Sequence, residues 1–158
     1  MIILGWITLL GLLTAYFSEY LSKQNNPNED LALTRTTDYN EIRLQRNRYG
    51  HYVASGEINH HPVTFMLDTG ATNISIPEKI AKKLNLKAGF PMTVETANGN
   101  IEVYSTILDQ VSLGGIELQN ISASINPYMQ SDETLLGMSF LKYLHFSQEG
   151  DQLLIRQY

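Results

Sequence analysis

Glycine-centred breaks cut the second half of the chain into short alternating runs, at Asn98-Gly99, Gly114-Gly115 and Gly150-Asp151. Asn-Gly and Gly-Gly suit the two central positions of a type I′ turn, where both residues take positive φ. The arms around them ("TVETANGNIEVYSTI", "LDQVSLGGIELQNISASI" and "HFSQEGDQLLIRQY") alternate polar and apolar residues, so each reads as a hairpin. Upstream, "EIRLQR" (41–46), "HYVASGEIN" (51–59) and "HPVTFMLD" (61–68) read as strands. The last two join through a tight connection at Asn59, His60, His61 and Pro62, which predicts that they pair. Helix is scarce. "PEKIAKKLNL" (77–86) predicts a short one, with Pro77 in its first turn, Ile80, Ala81 and Leu84 on one face, and Gly89 just beyond its end. Another turn or two of helix follows Leu135, Leu136 and Gly137. Many short strands with one or two small helices predict a mainly β domain, closed as a compact barrel.

The first stretch obeys a different rule. "MIILGWITLLGLLTAYFS" has no charged side chain before Glu19. Roughly 20 helical residues at about 1.5 Å each cross a hydrocarbon core of about 30 Å. Residues 1–20 are therefore expected to be a transmembrane anchor, with Trp6, Tyr16 and Tyr20 suited to the interfaces. A cleaved signal peptide would carry a basic start and an A-x-A-like site, and neither is present. Residues 21–38 are polar and include Asn25-Asn26-Pro27-Asn28, which reads as a polar linker about as long as a short tether. Residues 39–158 are then the folded domain. Lys23 is the basic residue nearest the span, so the charge rule hardly fixes orientation.

Composition removes several chemistries. A net charge of −5 leaves no polybasic footprint, so nucleic acid is not expected as a partner. The absence of cysteine excludes disulfides, thiolate metal sites and cysteine nucleophiles. His51, His60, His61 and His145 lack ligand spacing, and no metal or other cofactor is expected. Ser75 and Ser139 lack a supporting His and Asp. Asp109, Asp132 and Asp151 sit in polar, loop-like contexts and read as surface charges.

The remaining acid is Asp68, at the end of the apolar run in "FMLDTGATNISIP". A strand that ends in Asp and turns on Gly70 presents a carboxylate at a loop tip while burying its stem. Thr69 adds a hydroxyl beside it. "LDTGAT" (67–72) resembles the active-site signature of aspartic proteases, and Ala71 after the glycine is similar to the retroviral, retropepsin-like branch. "LLG" (135–137) before a short helix resembles the second signature of that family, and "ETANGNIEV" lies where the family carries a flap hairpin. Together these features are similar to bacterial membrane-anchored, single-domain clan AA proteases, across residues 39–158.

The resemblance implies a single-lobe retropepsin-like barrel behind the transmembrane helix. It implies an aspartic endopeptidase in which Asp68 of two subunits of a homodimer share a proton and activate water against a polypeptide substrate. Thr69, Gly70, Ala71 and Thr72 would support that loop. Ala97, Asn98, Gly99 and Asn100 would form the flap over the substrate. Leu135, Leu136 and Gly137 would pack behind Asp68, and "LLIRQY" at the C-terminus would supply interface strands. Ala71 offers no hydroxyl to the carboxylates, which implies a working pH nearer neutral than that of pepsin-like enzymes. The resemblance also implies an inner-membrane, single-pass protein with its domain on the periplasmic side. The alternative is a non-catalytic or assembly-dependent peptide-binding dimerisation module of the same fold.

Overall fold

The structure is a computed structural model and describes residues 2–96 and 99–158. The helix α1 (Ile2–Asn25) comes first. The strands β1 (Thr34–Arg35), β2 (Asn40–Gln45), β3 (Val53–Ile58), β4 (His61–Leu67) and β5 (Ile74–Pro77) follow. After α2 (Glu78–Lys83) come β6 (Pro91–Thr96), β7 (Gly99–Leu113), β8 (Ile116–Asn126) and β9 (Thr134–Leu136). The chain ends with α3 (Met138–Leu141), β10 (His145–Glu149) and β11 (Gln152–Gln157).

One sheet runs β3-β4-β9-β5-β8-β7-β6, and a further pairing of β3 with β7 closes all but β6 into a barrel. Closure removes open edges from the barrel strands. Phe65, Ile74, Ile76, Leu108, Val111 and Leu136 fill its interior and are fully buried. The second sheet runs β1-β2-β11-β10, and Ile42, Leu44 and Ile155 join it to the same core. The mainly β barrel behind an apolar N-terminal helix is the architecture that the sequence predicts.

Local chemistry sets the hairpins. Asn59 and His60 hold φ of 49° and 64° between β3 and β4, and Gly114 and Gly115 hold 56° and 86° between β7 and β8. Both pairs meet the type I′ requirement. The β6–β7 register ends on Thr96 opposite Gly99, and Ala97 and Asn98 lie outside the described residues. The helix α2 starts at Glu78, because Pro77 with ψ of 138° is still extended. Asn85 with φ of 53°, not Gly89, ends it. The Leu86 N–H donates to the Ala81 carbonyl and the Asn85 N–H to the Lys82 carbonyl, which is a Schellman closure. Gly89 serves a close approach instead: its N–H donates to the Ser105 carbonyl at 2.7 Å.

Two further readings change. β11 lies between β2 and β10 and pairs along both edges within its own chain. "LLIRQY" therefore offers no open strand to a partner. The second concerns residues 21–38. α1 continues to Asn25, and the stretch after it is bound to the domain instead of hanging free. The Asn28 amide donates to the carbonyls of Gln45 (2.9 Å) and Val53 (2.6 Å), and its Oδ1 accepts from the Gln45 N–H at 2.7 Å. Its own carbonyl accepts from the Ser55 N–H at 3.1 Å. One buried asparagine thus fills the ladder positions between the end of β2 and the start of β3. Leu31 and Leu33 then pack on the core.

Glu41, on β2, is buried and meets two arginines. Arg156 Nε lies 2.6 Å from one carboxylate oxygen, and Arg43 Nη2 lies 2.9 Å from the other. The Arg156 hydrogen bond, more than Arg43, holds the carboxyl below its ordinary value of 4.5 despite its burial. Arg43 is 59% exposed and screened, which agrees with that order. An acid lowered by folding lends stability above its unfolded value and withdraws it as pH falls through the folded one. The urea midpoint is therefore expected to fall as pH drops below about 4.5. Glu41→Gln should lower the midpoint at neutral pH and flatten that acid limb. An unchanged limb in the variant would assign the acid sensitivity to other groups.

Candidate active site

Asp68 stands where β4 leaves the barrel. β9 runs parallel to β4, pairing Met66 with Leu135 and Leu67 with Leu136. The Asp68 N–H donates to the Leu136 carbonyl at 3.2 Å, so the last ladder bond of this pair fixes the aspartate backbone. On the other side of the loop tip, the Gly70 N–H donates to Asp68 Oδ1 at 2.9 Å. The Ala71 N–H donates to the Asp68 carbonyl at 3.2 Å and tightens the turn. Asp68 is half-buried, while Thr69, Gly70 and Thr72 are exposed. The Thr69 hydroxyl has no hydrogen-bond partner among the described residues.

The loop is braced from behind. The Met138 N–H donates to the Ala71 carbonyl at 2.8 Å. A Cβ on Gly137 would sit 2.6 Å from the Ala71 carbonyl oxygen and closer still to that of Asn73. Only a glycine lets the start of α3 approach so near. Ser139 is buried, and its Oγ accepts from the Ile74 N–H at 3.0 Å. That bond pins the far end of the Asp68 loop. The sequence offers Ser139 only as a poor nucleophile, and its place two residues after Leu-Leu-Gly is the signal for its role.

Leu135 and Leu136 part company. They are successive strand residues, so they face opposite sides. Leu136 is fully buried, and its carbonyl accepts from the Asp68 N–H. Leu135 instead lines the cleft in front of it. This cleft of about 400 Å³ lies between the Asp68 loop and the β6–β7 hairpin, with Asp68, Ala71, Val94, Ile101 and Leu135 on its walls. Gly99 and Asn100 are exposed near the tip of that hairpin. Glu95, on β6 and exposed, is the other carboxylate lining the cleft. A larger groove of about 890 Å³ runs past Phe90, Met92 and Ile107 and does not include Asp68. His60 and His61 sit at the opposite end of β4 from Asp68.

A carboxylate with one backbone donor, an apolar wall and a hairpin cover can orient a polar reactant in a sheltered space. It cannot alone both polarise a carbonyl and accept a proton from water.

Comparison with known proteins agrees with this arrangement. Residues 54–143 match the family of gag-polyprotein putative aspartyl proteases. An uncharacterised protein in the cobV 5′ region of Sinorhizobium sp is 32% identical over 134 residues, covering 82% of this chain and 58% of that one. An uncharacterised protein of Rickettsia prowazekii (strain Madrid E) is 32% identical over 126 residues, covering 78% of this chain and 54% of that one. The chain thus spans little more than half the length of these relatives. Among solved structures, the crystal structure of a retropepsin-like aspartic protease from Rickettsia conorii is similar, with a TM-score of 0.65 and 31% identity. That likeness covers 80% of this chain and 95% of that one. The family match spans more than half the chain and takes in Asp68, its brace and its cover, so the chain belongs to the retropepsin-like aspartic proteases.

Proposed function

We propose that the protein is an aspartic endopeptidase whose dyad is formed by Asp68 from two copies of the chain. The observation that carries this reading is Asp68 itself, fixed by the Leu136 carbonyl and the Gly70 N–H at the floor of a hairpin-covered cleft. Each chain supplies one such carboxylate, and the reaction needs two. Across a two-fold axis the pair would share a proton, because like charges about 3 Å apart cannot both ionise. The protonated member polarises the peptide carbonyl. The ionised member takes a proton from the water between them, and that water attacks with no covalent enzyme intermediate. Thr69, exposed and unpartnered among the described residues, is free to hydrogen-bond across the axis. Gly70 would receive substrate backbone. The substrate would lie extended beneath β6 and β7, and Ala97, Asn98, Gly99 and Asn100 would close over it.

The reading also places the chain in a membrane. Residues 3–25 form an exposed helix whose most apolar 18-residue stretch has a mean hydropathy of 1.3, long enough to cross. We take it as a single-pass inner-membrane anchor, with the domain outside the cytoplasm. Because β11 is paired within the chain, the two-fold contact would be limited to the catalytic loop, the flap and the short edge strands β1 and β10. A small contact makes a weak dimer, and confinement to a surface raises its effective concentration. This observation favours activity that depends on assembly.

Mixing subunits tests the shared dyad. Wild-type chains diluted with Asp68→Asn chains at fixed total concentration should lose activity as the square of the wild-type fraction. At equal amounts about a quarter remains, since only wild-type pairs hold both acids. Activity that instead falls in direct proportion would mean that each chain works alone.

A further inference from the structure

We propose that the anchor and the catalytic loop form a ruler, so that the enzyme acts on polypeptide segments held close to the bilayer surface. This rests on the anchored-protease reading above and adds the class of substrate. A free linker over residues 21–38 would let the domain roam, with roughly 60 Å of extended reach. The structure has no such freedom. α1 runs unbroken to Asn25, only five residues past Tyr20, or about 8 Å beyond the expected end of the span. There the domain takes hold. The Asn47 amide donates to the Asn25 carbonyl at 3.0 Å, and the Asn25 amide donates to Glu133 at 3.1 Å. The Asn26 amide donates to Ser55 Oγ at 3.0 Å, and Asn28 is buried between β2 and β3.

The path from this clasp to the catalytic acid is short. The Asn47 N–H donates to the His51 carbonyl at 2.8 Å. The next residue, Tyr52, accepts at its carbonyl from the Leu67 N–H at 2.9 Å. Leu67 precedes Asp68. Hydrogen-bonded backbone segments lie about 5 Å apart, so these steps put Asp68 within about 30 Å of the hydrocarbon edge. An independent feature sits at the same level. The Arg48 side chain donates to Gln24 Oε1 at 3.3 Å and lies over the ring of Tyr49, which is 59% exposed. Tyrosine and arginine beside the end of a span suit the headgroup layer. The ruler excludes targets whose cleavable segment stands far above the membrane on a stiff support, and it favours segments next to another protein's own span.

The test reconstitutes the full chain in vesicles with membrane-anchored substrates. Each substrate carries one unstructured segment on a stiff helical spacer of stepped length, at about 1.5 Å per spacer residue. Segments held up to about 30 Å above the surface should be cut, and those at about 60 Å at least about tenfold more slowly. A Gly/Ser insertion of about 30 residues between Tyr20 and Leu21 adds up to about 100 Å of reach and should restore the distant cuts. A wild-type enzyme that cuts both heights alike overturns the ruler. A second readout does not depend on proteolysis. The cysteine-free chain allows a single dye on Lys142→Cys, with Asp68→Asn also present, and energy transfer to acceptors at the bilayer surface. Efficient transfer that the insertion abolishes supports the ruler. Weak transfer that the insertion leaves unchanged overturns it. Strong transfer with no cleavage at any height keeps the ruler and removes the protease.

Discussion

Asp68→Asn is expected to remove peptide hydrolysis while leaving the fold in place. The substitution keeps the size of the side chain, and the Gly70 N–H can still donate to Oδ1, as it does now at 2.9 Å. In the proposed dyad, what would disappear is the charge and the shared proton. A pair of asparagines has no ionised base for the water and no acid for the carbonyl. General acid and base contributions of about 10²–10⁴ each make a loss of at least about 10⁴-fold the expected result. It should appear at every pH between about 3 and 8, because no titration restores the missing group. The urea midpoint should move by no more than about 0.5 kcal/mol of stability. The measurement is initial rates on an unstructured protein with detergent-solubilised full chain. Activity above about a tenth of wild type would remove Asp68 from the chemistry. Glu95→Gln separates a rival. A loss as deep as that of Asp68→Asn would make Glu95 the second acid within one chain.

The sequence announces Asp68 because the required chemistry is local. A carboxylate at the end of an apolar strand, followed by a hydroxyl and a glycine, is a weak signal alone and gains force from the spaced Leu-Leu-Gly and the hairpin between them, which resemble the family's signatures. The hairpins are legible for a similar reason. Positive φ at Gly114 and Gly115 is a demand on those residues alone. Leu135 is half-legible. Its pairing with Leu136 invites one role for both, while the period of a strand assigns them to opposite faces.

Asn28 shows what stays hidden. An asparagine-rich run reads as loop, because its amides compete with regular backbone pairing. The same amides can complete a ladder when a strand end needs partners. Those partners, Gln45 and Val53, lie 17 and 25 residues away, and no local pattern points to them. The end of α2 fails differently. Asparagine adopts the left-handed conformation nearly as usefully as glycine at a helix end, so Asn85 closes the helix and Gly89 is left for the approach to Ser105. β11 carries a further limit. Its alternation identifies a strand but does not say whether its neighbours belong to the same chain.

Gly137→Ala is expected to cost the domain both stability and turnover. Gly137 has φ of −93° and ψ of −171°, an extended conformation open to any residue, so backbone preference gives no reason for a glycine. The reason is space. The new Cβ would fall 2.6 Å from the Ala71 carbonyl oxygen and would also strike that of Asn73. Both obstacles are backbone, in the loop that holds Asp68, so neither can swing aside as a side chain would. Relief requires α3 and the Asp68 loop to separate, which breaks the 2.8 Å bond from Met138 to Ala71. Overpacking of this kind costs about 1–3 kcal/mol, and the lost bond about 1 kcal/mol more. A displacement of about 1 Å at the catalytic group costs about 10²-fold in rate. Gly150→Ala provides the contrast. Gly150 has φ of 61° with no atom within 4 Å of its would-be Cβ, so only backbone strain of about 1–2 kcal/mol applies, in the β10–β11 turn of the second sheet. Urea midpoints and turnover measured on both variants should separate the two causes. Gly150→Ala loses stability alone, while Gly137→Ala loses stability and turnover together. Equal turnover in the two would mean that the Leu-Leu-Gly segment holds up the barrel without positioning its acid.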